Sequence, residues 1–251
     1  MATGSFQARP TCYNDRRSMI SVEGITKTYG KKENLFTALN DVNFRVPQSS
    51  SVAITGKSGS GKSTLMHIMS GLERATSGRV MINDRDVQAM SRKEADTFRA
   101  KEMSFIFQSF FVEPNQTVYQ NVVLPLEIAE APQGRRRAIV NQALKAVELD
   151  DKINQKARSL SGGQKQRLAI ARAMVNRPKL IFADEPTGNL DSATGDKIMK
   201  LLFQLTASMG GTLFIVTHDH DLAGRCQYQI RLHDGKVAGT ARRPGQRLAK
   251  I

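Results

Sequence analysis

Apolar and polar residues alternate along Met19-Ile20-Ser21-Val22-Glu23-Gly24-Ile25, which is the two-residue period of a half-buried strand. Residues 37–46 predict a second strand, with Leu39, Val42, Phe44 and Val46 inward and a break at Asn40-Asp41. Together the two predict a small antiparallel sheet. Residues 51–55 form a short apolar run that leads straight into a glycine-rich loop. The spacing of Leu65, Ile68 and Met69 then predicts a helix over 62–71, closed by Gly71. Residues 103–107 predict a strand that ends at Gln108. From 117 to 147 the period is helical, with expected interruptions at Pro125 and at Pro132-Gln133-Gly134. Further helices are expected over 163–175 and 192–208, the second capped by Asp191 or Ser192, and further strands over 179–183 and 212–217. Residues 227–232 and 236–239 flank Asp234-Gly235, the signal of a hairpin turn.

Strands that alternate with helices imply an α/β fold: a mostly parallel core sheet covered on both faces. To this are added the small antiparallel β subdomain and a helical subdomain, about 109–165, inserted between two core strands. No internal repeat is visible in the 251 residues, so one such unit is expected over 19–240. A polar arm (1–18) would precede it and a basic tail (241–251) would follow.

Charge adds a question about partners. The 37 basic and 23 acidic residues leave a net charge of +14. Residues 231–251 hold six basic residues and one acidic residue, and Arg135-Arg136-Arg137 forms another cluster. Such a surface favours anionic partners, nucleotide or lipid headgroups among them, and also serves solubility. No nucleic-acid-binding motif accompanies the charge, and with no Trp and 4 Tyr no stacking platform stands out, so no specific nucleic acid is expected. No apolar run approaches the ~20 residues needed to span a bilayer. The start of the chain lacks the apolar centre of a secretory signal. Cys12 and Cys226 have no metal-ligand or redox spacing, so a reduced, cytosolic setting is expected.

The chemistry is carried by short motifs. Gly56-Lys57-Ser58-Gly59-Ser60-Gly61-Lys62-Ser63, followed by Thr64, matches the G-x-x-x-x-G-K-[ST] phosphate loop in full, between an expected strand and an expected helix. Its glycines let backbone amides turn inward around a polyphosphate. Lys62 would reach the β- and γ-phosphates, and Ser63 would hold Mg²⁺. Asp184 and Glu185 follow the apolar run Leu180-Ile181-Phe182-Ala183, which puts carboxylates at the end of a parallel strand, beside the crevice where ligands bind. Asp184 suits a metal ion, and Glu185 suits orienting or deprotonating a water.

With these stands Leu160-Ser161-Gly162-Gly163-Gln164. That run resembles the signature loop of the ATP-binding-cassette transporters, and the resemblance extends over about 20–237. It implies a phosphate-loop ATPase cassette that uses ATP and Mg²⁺. Two subunits would sandwich two nucleotides, the signature of one contacting the γ-phosphate held by the other. On the matching positions, Tyr29 is similar to the aromatic that stacks on adenine. Gln108 resembles the residue that senses Mg²⁺ and joins the core to the helical lobe. Asn189-Leu190-Asp191 resembles the loop that crosses between subunits, and His218 resembles the switch histidine at the γ-phosphate.

A narrower likeness lies in Phe182-Ala183-Asp184-Glu185-Pro186-Thr187-Gly188-Asn189-Leu190-Asp191, in Phe107-Gln108-Ser109-Phe110-Phe111 and in Thr117-Val118-Tyr119-Gln120-Asn121-Val122. These are similar to bacterial lipoprotein-release and macrolide-export ATPases. That likeness implies a homodimer on the cytoplasmic face of the inner membrane. Its partner would be an integral-membrane permease with few spans and a large extracytoplasmic domain. Val112-Glu113-Pro114-Asn115-Gln116 departs from the leucine-rich stretch commoner there and leaves the identity of that partner open. Two other outputs would use the same cassette: control of a cell-wall enzyme through a membrane partner, and soluble work on nucleic acid.

Overall fold

The computed structural model describes residues 18–31 and 34–242. The expected arm, up to residue 17, and the tail from 243 lie outside the described residues. Two sheets organise the rest. In the six-stranded sheet the order is β10-β9-β3-β8-β7-β6, built from β3 (Ser51–Thr55), β6 (Met103–Phe107), β7 (Leu180–Asp184), β8 (Thr212–Val216), β9 (Tyr228–His233) and β10 (Lys236–Arg242). All neighbours run parallel except β10, which returns antiparallel on β9. The smaller sheet, β2-β1-β4-β5, is antiparallel and contains β1 (Ser18–Tyr29), β2 (Phe36–Pro47), β4 (Ser77–Ile82) and β5 (Arg85–Asp86). The α/β class with both sheets is as the sequence predicts.

The central strands read as unbroken apolar runs because both faces are covered. Ala53, Ile181, Ala183, Leu213 and Ile215 point to one core, shared with α3 (Val118–Ile128), α4 (Gln133–Ala146), α5 (Gly162–Met174) and α6 (Ser192–Ser208). Val52, Ile54, Leu180, Phe182, Phe214 and Val216 point to the other, shared with α1 (Lys62–Met69), α2 (Arg92–Glu102) and the antiparallel sheet. Across the second face Phe105, Phe182 and Phe214 stack from β6 to β8, with centroids 5.6 and 5.4 Å apart. Such pairs add to the hydrophobic gain and lock the relative height of the strands.

Two expected breaks are corrected. At Asn40-Asp41 the strand does not stop; β2 continues through a bulge, with Asp41 at φ 51° and the pairing stepping from Lys27↔Leu39 to Ile25↔Val42. The bulge turns the Asn40 N–H outward, and it donates to the Gly235 carbonyl at 2.8 Å, tying the two sheets together. Pro125 likewise does not interrupt α3, which runs on to Ile128. Proline removes one backbone donor there, while packing of Val122, Val123 and Leu126 keeps the helix in place. Elements without a prediction are β4, β5, α2 and α7 (His220–Arg225). The Asp234-Gly235 turn is as expected: both residues have positive φ, 47° and 73°, and join β9 to β10.

Candidate active site

Four loops leave the same edge of the parallel sheet. Phe107 pairs with Asp184, Asp184 with Val216 and Val216 with Ile54, so the ends of β6, β7, β8 and β3 stand in one row. The residues after those ends are Gln108, Glu185, Thr217-His218 and the Gly56–Ser63 loop. This edge is where open parallel sheets bind ligands.

The phosphate loop closes on α1, whose N-cap is Gly61 at φ 95°. A Cβ at Gly61 would come within 2.6 Å of the Ala38 carbonyl, so this position admits no larger residue without a shift. The first turn of α1 carries no side-chain cap and no acidic residue, which leaves its amides to a ligand. Lys62 folds back over the loop, its Nζ donating to the Gly56 carbonyl at 2.9 Å and the Lys57 carbonyl at 2.8 Å. Ser60 is buried, and its Oγ has no hydrogen-bond partner among the described residues. Free helix amides, an ammonium held by loop carbonyls and an orphaned hydroxyl together fit a polyphosphate.

Asp184 ends β7 half-buried. Burial, then the adjacent Glu185 carboxylate, push its carboxyl above the usual range, against the pull of His67 and Lys62. A divalent cation would relieve that unpaired charge. Exposed Ser63 and the Asp184 carboxylate are hard oxygen donors of the kind Mg²⁺ takes, with phosphate oxygens completing the set. Among the described residues no three His, Cys, Asp or Glu converge as a self-sufficient metal site. Gln108 is turned elsewhere. Its amide Nε2 donates to Asn189 Oδ1 at 3.2 Å, and Asn189 Nδ2 donates to the Gln108 carbonyl at 2.9 Å.

Glu185 sits in the left-handed region at φ 44° and is held from several sides. Its N–H donates to the Val216 carbonyl at 3.0 Å, and its own carbonyl accepts from the Gly188 N–H at 3.0 Å. Its Oε1 accepts from the His218 N–H at 3.1 Å and lies 2.6 Å from His218 Nδ1. Its Oε2 accepts from Thr217 Oγ1 at 3.3 Å. The carboxylate is therefore aimed along the sheet edge, while the His218 side chain remains 80% exposed.

Tyr29, at the end of β1, is 38% exposed. Its hydroxyl faces Glu73 and Thr64, and burial, then Glu73, raise its pKa. Lys27 covers its ring at 4.8 Å and pairs with Glu73 at 3.0 Å. Through Thr64 the ring adjoins the phosphate-loop helix.

Signature residues occupy a separate corner. Ser161 caps α5: its Oγ accepts from the Gln164 N–H, and Gln164 Oε1 accepts from the Ser161 N–H at 3.0 Å. A Cβ at Gly163 would meet Thr194 Cγ2 at 2.8 Å, and one at Gly162 would meet Leu190 Cδ2 at 3.6 Å. Asp191 caps α6 by accepting from the Thr194 N–H at 2.9 Å, and hydrogen bonding from the Thr194 side chain, then from that N–H, lowers its pKa. The signature is thus gathered with the Asp191 loop. Among the described residues no hydrogen bond joins it to the phosphate loop.

Residues 39–188 match the family model described as ABC transporter. The chain belongs to that family. It is therefore an ATP-binding, ATP-hydrolysing cassette. It is 39% identical to the lipoprotein-releasing system ATP-binding protein LolD of Syntrophotalea carbinolica, over 88% of this chain and 98% of that protein. It is 41% identical to the ABC transporter ATP-binding protein YtrE of Bacillus subtilis, over 88% and 97%. Among solved structures, the ATP-binding cassette MJ0796, a dimer in a post-hydrolysis state bound to ADP and Pi, superposes with a TM-score of 0.82. That match has 39% identity and covers 91% of this chain and 100% of that one.

Thr217, Lys27 and Glu73 escaped the sequence reading. Adjacency to His218 marks Thr217, and the two-residue strand period places Lys27 beside Tyr29. Glu73 carries no sequence signal, since only the fold brings it to Tyr29.

Proposed function

We propose that this cassette works as a homodimer that closes on ATP and drives a separate membrane permease. The observation that carries this reading is the Glu185 carboxylate, fixed at the end of β7 against His218 and two strands from the phosphate loop. In this reading Lys62 exchanges its bonds with the loop carbonyls for the β- and γ-phosphates. The amides and hydroxyls of residues 56–64 surround the same oxygens, and Tyr29 stacks on the base. Ser63 and Asp184, with Gln108 once it leaves Asn189, would hold Mg²⁺, which would supply positive charge at the phosphates. Glu185 takes a proton from the attacking water and His218 holds the γ-phosphate. Ser161, Gly162, Gly163 and Gln164 of one subunit complete the site of the other, with Asp191 at the seam. The dimeric state of MJ0796 supports this arrangement.

Docking of the permease is assigned to the surface beside Gln108. Phe111 is 64% exposed and packs edge-on against Phe107, with Leu124 and Ile128 exposed on α3. The likeness to LolD supports a partner with few spans and a large extracytoplasmic domain, and a place on the cytoplasmic face of the inner membrane. No helix among the described residues is long and apolar enough to cross a membrane. The test is purification from detergent-solubilised membranes with mass spectrometry of what accompanies the protein. A co-purifying few-span permease is the expected result. A many-span permease would overturn the subfamily, and nucleic acid without a membrane protein would overturn the permease.

A further inference from the structure

Gln166 lies on α5, five residues after Ser161, with none of its surface exposed. Its Nε2 donates to the Pro186 carbonyl at 2.5 Å, and its Oε1 has no partner among the described residues. The orientation is forced, because the reverse would set two oxygens against each other. The amide satisfies the buried Pro186 carbonyl, which an apolar side chain of similar size would strand, and it leaves its own acceptor unmatched in doing so.

What the bond reaches explains its use. Pro186 follows Glu185, whose left-handed backbone must be held by its surroundings. Glu185 N–H and carbonyl are tied to β8 and to Gly188, so those bonds fix the residue to the sheet and to its own turn. Gln166 supplies a tie to the signature helix. The start of the same helix lies beside α6 and the end of the Glu185–Asp191 segment: a Cβ at Gly163 would meet Thr194 at 2.8 Å, and one at Gly162 would reach Leu190 at 3.6 Å. The segment is thus bonded at Pro186 and flanked at Leu190 by one helix that begins with the signature serine.

We infer that Gln166 is a positioning residue that sets the Glu185 carboxylate according to the position of the signature helix. It rests on the reading of Glu185 as the base. A movement of α5 on engaging the opposite nucleotide carries Pro186 with it, so that signature contact at one site orients the base at the other.

The test is Gln166→Leu, which keeps bulk, removes the orphaned Oε1 and breaks the tie to Pro186. Turnover should fall about tenfold, with KM for ATP close to wild type and a modest loss of Tm from the stranded Pro186 carbonyl. In a Glu185→Gln background the same change should leave ATP-dependent dimers intact. Gln166→Met should behave like Gln166→Leu. Wild-type turnover in both variants overturns the inference. A fall in turnover matched by a loss of ATP-dependent dimers also overturns it, in favour of a purely structural side chain. If Glu185→Gln alone keeps wild-type turnover, it is the reading of the base that fails.

Discussion

Two helices in this molecule begin beside phosphate-binding sequence, and they begin differently. At α1 the chain enters through Gly61, no side chain caps the turn, and Lys62 and Ser60 have polar groups to spare. At α5 the entry is closed on itself, Ser161 and Gln164 satisfying each other's amides. The first is organised for an anion before any arrives. The second holds its donors in reserve, with only the Gly162 and Gly163 amides outside the box. On the proposed function a single subunit therefore has one strong phosphate site and one weak one. In that reading the weak site becomes useful when a nucleotide already held by another loop is brought to it, which would make closure reversible once the γ-phosphate is lost.

The largest effect should come from Glu185→Gln. Steady-state kcat is expected to drop about a thousandfold while ATP binding persists, so that size-exclusion chromatography with ATP shows accumulated dimers. Dimers that fail to form would break the contrast between the two helix starts. Next is Lys62→Ala, for which the affinity of the isolated subunit for ATP should fall about a hundredfold, as befits a lost charge-assisted contact. Calorimetric titration reads this directly, and unchanged affinity would remove Lys62 from the strong site.

Ser161→Ala should act in the opposite way. Binding by the monomer stays, turnover falls about tenfold, and stability falls by ~1 kcal/mol through the lost cap. Mixing Lys62→Ala with Ser161→Ala protein should restore part of the activity, because each mixed dimer then has one intact loop facing one intact signature. The smallest effect concerns Asp184. Its folded pKa is raised, so the folded state holds a proton that the unfolded chain has released, and stability is lost as pH rises through that window. Asp184→Asn should therefore raise Tm near neutral pH in nucleotide-free protein, with the advantage disappearing at about pH 4, the usual carboxylate range. Thermal scans across pH decide it.

The strong site was legible in the sequence and the weak site's working geometry was not. The phosphate loop, the carboxylates after Phe182-Ala183 and His218 each follow a strand whose apolar run gives it away. Bonds between them, Glu185 with His218 and Gln108 with Asn189, depend on which strands the topology sets side by side, and no spacing encodes that. Gln166 was invisible because its partner is twenty positions away in sequence. Among the elements, α2 buries only Ala95 and Phe98, too few for a helical period, although its capping box from Ser91 to Glu94 was there to be read. Likewise β4 is exposed over its first half, and the Asn83-Asp84 turn that follows it, with φ 46° and 62°, was the better signal. The expected stops at Asn40-Asp41 and Pro125 show the converse, local signals overridden by a bulge and by packing.

The position of β3 has a consequence for synthesis of the chain. Its neighbours on either side are β8 and β9. The bonds that seat its start, between Ser51 and Gln227, join residues 176 apart. On a ribosome the glycine-rich turn is made early and waits for both flanking strands, while α3 to α6 emerge between. A chain released before β9 has a complete binding motif in its sequence but β3 paired on one side only, so nucleotide-dependent resistance to proteolysis reports that translation has passed that strand.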